Sequence, residues 1–158
     1  MNLYRQHFLG FEAAAGVLLS LIPLTWMIEF GGASKVDLLL TGNRAAIYGA
    51  LATIFGSLLG FVITAVSILV GVWGVDKLTI LRESKHATDL WRIFTSTTKW
   101  VGLATLVSLA GLVGDRDLKP IHAIMYATIV VVLIGTIRLC RCIWALERIV
   151  AILAAKKS

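Results

Sequence analysis

The sequence predicts an all-α, polytopic membrane protein with four transmembrane helices and helical cytoplasmic extensions, and three observations carry that expectation. Of its 158 residues, 58% are hydrophobic and only 15% charged, with a mean hydropathy of +0.88, a balance foreign to a soluble domain of this length. Four apolar windows each reach the length of about 20 residues that a bilayer core requires. The basic residues gather at one set of window ends, as orientation in a membrane demands. With two prolines and no low-complexity tract, residues 1–158 read as a single membrane domain.

The first window covers residues 8–30. A cleavable signal peptide ending at Gly31-Gly32-Ala33 is the rival reading, but the apolar stretch is longer than a signal core and contains Glu12, so this span is expected to stay. The second window, 45–75, is the cleanest, with no charge between Arg44 and Asp76. The third covers 93–114 and the fourth 120–137, with Pro120 placed for a first helical turn. The stretch 76–92 reads as a helical hairpin projecting into the cytoplasm, with Ser84 and Thr88 as candidate caps for the returning helix.

Charge sets the orientation. With the amino terminus inside, Arg5, Lys77, Arg82, Lys85, Arg92, Arg138, Arg141, Arg148, Lys156 and Lys157 fall on the inner side, and Lys35, Arg44, Arg116 and Lys119 on the outer. The excess favours both termini in the cytoplasm, as in a bacterial inner membrane protein. Aromatic residues agree: Trp26, Tyr48 and Tyr126 lie near outer ends, and Tyr4, Trp73, Trp91 and Trp144 near inner ones.

The second window carries the most specific pattern. Steps of four and three residues pick out Ala46, Ala50, Thr53, Ser57, Gly60, Thr64, Ser67, Gly71 and Gly74, a seam of small residues flanked by Leu, Ile, Val and Phe. Small residues let helix backbones approach closely, which is how helices associate in lipid. The seam therefore predicts either packing, within the chain or between copies in a homo-oligomer, or a pore lined by the hydroxyls of Thr53, Ser57, Thr64 and Ser67. The count continues to Leu78 and Leu81, where the stripe becomes leucine. A milder stripe in the third window, Thr97, Ala104, Ser108 and Gly111, is a possible intramolecular partner for the seam.

Two ionisable residues, Glu12 and Lys99, fall inside apolar windows at similar depth from the inner edge. An intramembrane ion pair would offset the cost of about 3 kcal/mol that each charge carries at a helix centre; snorkelling to the headgroups is the alternative. Beyond the fourth window the sequence RLCRCIWALERIVAILAAKKS places Leu139, Cys142, Leu146, Ile149 and Leu153 on one helical face. This extension, 138–155, is expected to contact a cytosolic protein or anionic lipid through Arg138, Arg141, Leu146, Arg148, Ile149 and Leu153. Cys140 and Cys142 are two apart and do not face each other on a helix, so they read as packing residues.

The residues exclude more than they specify. There is no phosphate loop, HExxH, GxSxG or carboxylate cluster, so neither an enzyme nor a cofactor or metal site is expected. Asp115 and Asp117 read as a solvated outer loop. The net charge of +6 is divided between membrane edges and forms no aromatic-interleaved patch, which speaks against nucleic acid. The function expected is a non-enzymatic, homo-oligomeric anchor or sensor holding a cytosolic partner on its inner helices. The alternative is an ion channel or membrane-permeabilising effector of the kind used in bacterial stress or antiphage defence.

Overall fold

Backbone amides in hydrocarbon have no water to bond, so an apolar segment there satisfies them internally by forming a helix. The computed structural model of the chain describes residues 14, 16–18, 21, 22, 25, 35, 38, 40–72, 86–117 and 120–155. Among the described residues three helices form: α1 (Arg44–Val72), α2 (His86–Gly114) and α3 (His122–Ala155). Each holds a stretch long and apolar enough to cross a membrane: Arg44–Gly71, Asp89–Gly114 and His122–Arg148. The all-α class and the second, third and fourth apolar windows thus correspond to observed helices. Most of the first window lies outside the described residues; its described positions from 14 to 25 are helical. Gly16 is buried where a Cβ would stand 2.5 Å from Ile134 Cγ1, which seats this stretch against α3.

The helix ends have local causes. Gly42 has φ +80°, a left-handed conformation that glycine adopts without steric cost, and the turn it makes brings the chain to Asn43. Asn is a preferred residue ahead of a helix, and the Asn43 carbonyl accepts from the Ile47 amide at 3.0 Å, closing the first turn. At the start of α3 the Ile121 carbonyl accepts from Ile124 and Met125. Pro120 therefore sits just before the helix and not within its first turn.

Two helices run past their apolar windows. α2 begins at His86, within the stretch 76–92 expected to be helical, which puts Thr88 inside the first turn and not at a cap. Asp89, also in that turn, complements the positive end of the helix dipole. α3 passes residue 137 without a break and runs for 34 residues, about 51 Å at 1.5 Å per residue. Residues 73–85, with Leu78, Leu81 and Ser84, lie outside the described residues.

α1 and α3 each pack against α2. Phe55, Val101, Ala104 and Val131 form one buried cluster; toward the N-terminal end of α2, Val62, Leu69, Leu90, Phe94, Cys142 and Ala145 form another. The register between α1 and α2 is fixed where Tyr48 lies across Gly111: a Cβ there would stand 2.4 Å from Tyr48 Cε1, so the ring occupies the space a side chain would need. The small-residue stripe of α2 is indeed buried, with Thr97, Ala104, Ser108 and Gly111 all inside. It receives the large residues of α1, Tyr48 and Phe55, and not the small-residue seam of that helix.

Candidate functional site

The most developed polar arrangement lies where the N-terminal ends of α1 and α3 meet the C-terminal end of α2. Arg44 opens α1, and Tyr48 follows one turn later on the same face. Asp115 comes directly after the last residue of α2, its amide still bonded to the Gly111 carbonyl at 2.9 Å. From there its carboxylate reaches both neighbours. Oδ2 accepts from Arg44 Nη1 at 2.8 Å and from the Tyr48 hydroxyl at 2.7 Å, while Oδ1 accepts from the Ile121 amide at 2.7 Å. One carboxylate therefore ties α1, the end of α2 and the start of α3 together. Asp117 adds a weaker contact at 3.7 Å from Arg44 Nε.

Burial makes this clasp consequential. Arg44 is 2% exposed and Asp115 1%, so both charges depend on each other and on their hydrogen bonds in place of water. Burial alone raises the Asp115 pKa. The Ile121 amide, the Tyr48 hydroxyl and the Arg44 guanidinium outweigh that effect and hold the carboxyl below its ordinary 3.8. Asp115 is accordingly not the solvated loop residue expected from the sequence. The available signal was the pairing of Arg44 and Tyr48 at one-turn spacing, but their distant partner is set by the helix register.

Beside the clasp, between α1 and α3, lies a pocket of about 230 Å³ walled mainly by Ile47, Leu51, Met125 and Ile129. Leu40, Arg44, Tyr48 and Thr128 complete the wall. The Thr128 hydroxyl is already engaged, donating to the Ile124 carbonyl at 2.8 Å.

A second polar cluster lies in the half of the bundle nearer the N-terminal end of α2. Arg138 was expected at the surface, touching lipid or a partner, yet it is 4% exposed. Its guanidinium donates to Ser96 Oγ and lies 5.6 Å from the Trp100 ring centroid, while Thr97 Oγ1 donates to its backbone carbonyl at 3.2 Å. The side chain turns inward because α2 offers a hydroxyl and an aromatic face at that level. An arginine keeps its charge in any such site, so the bundle holds a permanent buried cation.

The other anticipated residues divide by exposure. Thr53, Ser57, Gly60, Thr64, Ser67 and Gly71 are all exposed, as are Ala46 and Ala50, so the seam faces outward from the subunit. The opposite side of α1 buries Tyr48, Phe55, Val62 and Leu69. The hydroxyls of Thr53, Thr64 and Ser67 donate to the carbonyls of Gly49, Gly60 and Ile63, each at 2.9 Å. Lys99 is exposed, and Glu12, its expected partner, lies outside the described residues. Arg141 is half-buried, Leu146 packs against the cluster around Phe94 and Cys142, and Arg148 is exposed with its guanidinium 5.0 Å from the Trp144 ring centroid. The side chains of Ile149 and Leu153 lie outside the described residues, although their backbone continues α3. Cys140 is exposed and Cys142 buried, both as free thiols. Among the described residues no group of three His, Cys, Asp or Glu side chains converges as metal ligands would. Comparison of the chain with protein-family models, with curated proteins and with solved structures finds no match.

Proposed function

We propose that this chain is a non-enzymatic, homo-oligomeric integral membrane protein of four spans, with both termini in the cytoplasm, that anchors a cytosolic protein partner on its inner helices. The observation that carries the reading is the unbroken length of α3. At about 51 Å it exceeds a hydrocarbon core of about 30 Å by more than three turns. Trp91 and Trp144 are both exposed, 23 residues from Gly114 and 22 residues from His122 along their helices, so they reach the same level, about 33–35 Å from the outer ends. Aromatic residues favour the membrane–water boundary, and this pair marks the inner one. Residues 145–155 of α3 would then stand about 16 Å into the cytoplasm, with Arg148 at the level of anionic headgroups.

The exposed seam on α1 supports assembly through copies of the same helix. Among the described residues nothing large covers it, and a Cβ added at Gly60 meets no atom within 4 Å. The channel reading draws on the same seam, because its hydroxyls face away from the core. Three of those hydroxyls already donate to their own helix, so a dry helix contact satisfies them without a column of water. That ranks packing ahead of conduction, and a membrane-permeabilising effector remains the second reading.

The test combines two seam substitutions with two readouts. Ser57→Leu with Gly60→Leu should leave the helical content of the purified protein unchanged and reduce its mass in detergent to that of one chain. Ion flux through liposomes should be absent for wild type and variant alike. A wild-type flux abolished by the same substitutions would replace the anchor with a channel. Removal of residues 149–158 should leave assembly intact while releasing the cytosolic partner recovered by cross-linking; retention of that partner contradicts the anchoring role of α3.

A further inference from the structure

We propose that the outer pocket between α1 and α3 is a binding site for one acyl chain of an outer-leaflet phospholipid. The inference rests on the membrane-spanning reading above and adds a specific lipid site to it. Its first support is chemical. Three polar residues border the pocket, and each has its polar atoms engaged elsewhere: Arg44 with Asp115 and Asp117, the Tyr48 hydroxyl with Asp115, and the Thr128 hydroxyl with the Ile124 carbonyl. What remains facing the space is hydrocarbon from Ile47, Leu51, Met125 and Ile129. Such a wall offers no hydrogen bond to a polar ligand or to water, which needs two to four partners to be held.

Depth and size select the occupant. Leu51 stands seven residues into α1 and Ile129 seven into α3, so the pocket occupies about the first 10 Å of the bundle below its outer ends. This is the level of the upper acyl chains of the outer leaflet. The volume of about 230 Å³ is far above the roughly 10–15 Å³ that one water needs on the same measure, so a chain segment of several methylenes fits. The clasp forms the closed end, because Arg44 and Tyr48 are held by Asp115 and cannot swing into the space without breaking a buried ion pair.

The experiment uses the wild-type protein in bilayers containing a phosphatidylcholine with a photoactivatable diazirine in its upper acyl chain. After illumination, modified residues are mapped by mass spectrometry. Labelling at Ile47, Leu51, Met125 and Ile129 is expected to exceed by about tenfold the labelling at Leu106 and Val113, lipid-facing residues of α2 at the same depth, the ratio that about 1.4 kcal/mol of preferential occupancy gives. Leu51→Trp, and separately Ile129→Trp from the opposite wall, should remove the excess and leave Leu106 and Val113 labelled. Equal labelling of all these positions in wild type, or an excess that survives either filled pocket, overturns the site while leaving the membrane reading intact. No labelling at any of them overturns both.

Discussion

Replacing Asp115 by Asn probes the clasp most directly. The substitution keeps the shape and leaves Oδ1 able to accept from Ile121, but it removes the negative charge facing Arg44. The ion-paired side chains are 3% and 0% exposed, so the guanidinium would remain buried with its main counter-charge gone. Breaking a buried pair by removing one member costs about 3–5 kcal/mol. Two features bring the expectation to the lower end, about 3 kcal/mol: Asp117 lies 3.7 Å from Arg44 Nε, and at 42% side-chain exposure it is free to move closer. Reversible unfolding in mixed micelles of increasing denaturing-detergent fraction, followed by circular dichroism, measures this value. A cycle with Arg44→Met and the double variant isolates the pair, and a coupling of about 2 kcal/mol is expected. An Asp115→Asn protein within about 0.5 kcal/mol of wild type, or a strictly additive cycle, would refute the view that the clasp holds the outer helix ends.

Two further outcomes follow from the same geometry. Because the Asp115 pKa is held below its ordinary 3.8 in the folded protein, its contribution is complete above that value and is lost as pH falls through the lower folded pKa. The unfolding midpoint should therefore be insensitive to this group from neutrality down to about pH 5 and drop below about pH 4, and Asp115→Asn should lack that component of the drop. Gly111→Ala places a methyl group against the Tyr48 ring, where the Cβ would stand 2.4 Å from Cε1. A loss of about 1–3 kcal/mol in the same unfolding assay is expected, whereas Gly60→Ala, in open space, should stay within about 0.5 kcal/mol of wild type.

The contrast between the two faces of α1 shows what patterning conveys in a helix long and apolar enough to cross a membrane. In water, a small-residue stripe surrounded by Leu, Ile and Phe would be hard to leave uncovered, because burial of apolar area drives packing. In lipid that drive is absent between helices, so both a small face and a large face can serve as contact surfaces, and periodicity alone does not rank them. α2 settles the matter by presenting Ala104 and Gly111, from its own small face, to Phe55 and Tyr48 on the large side of α1. Large side chains entering a groove of small ones fill space better than two small faces would. The seam of α1 is left exposed.

Arg138 and Asp115 give the same lesson in charge. Each was read by its position near a membrane edge, where topology and solvation are the usual roles of a charged residue. Whether such a residue faces headgroups or the bundle depends on what the neighbouring helix offers at that height. Ser96 and Trp100 on one side, and Arg44 with Tyr48 on the other, are more than 35 residues away in the chain and meet their partners only through helix register.

The sequence by itself determined the all-α class, the three apolar stretches that appear as membrane-length helices, and the continuation of the last one past residue 137. Those properties depend on hydrophobic length and on the absence of helix breakers, both local quantities. Only the tertiary structure decided that the seam of α1 faces outward, that Asp115 gathers three helix ends, and that a pocket opens between α1 and α3. These depend on rotation and axial register between helices, which are set by packing and close polar contacts across the bundle and leave no periodic mark in the chain.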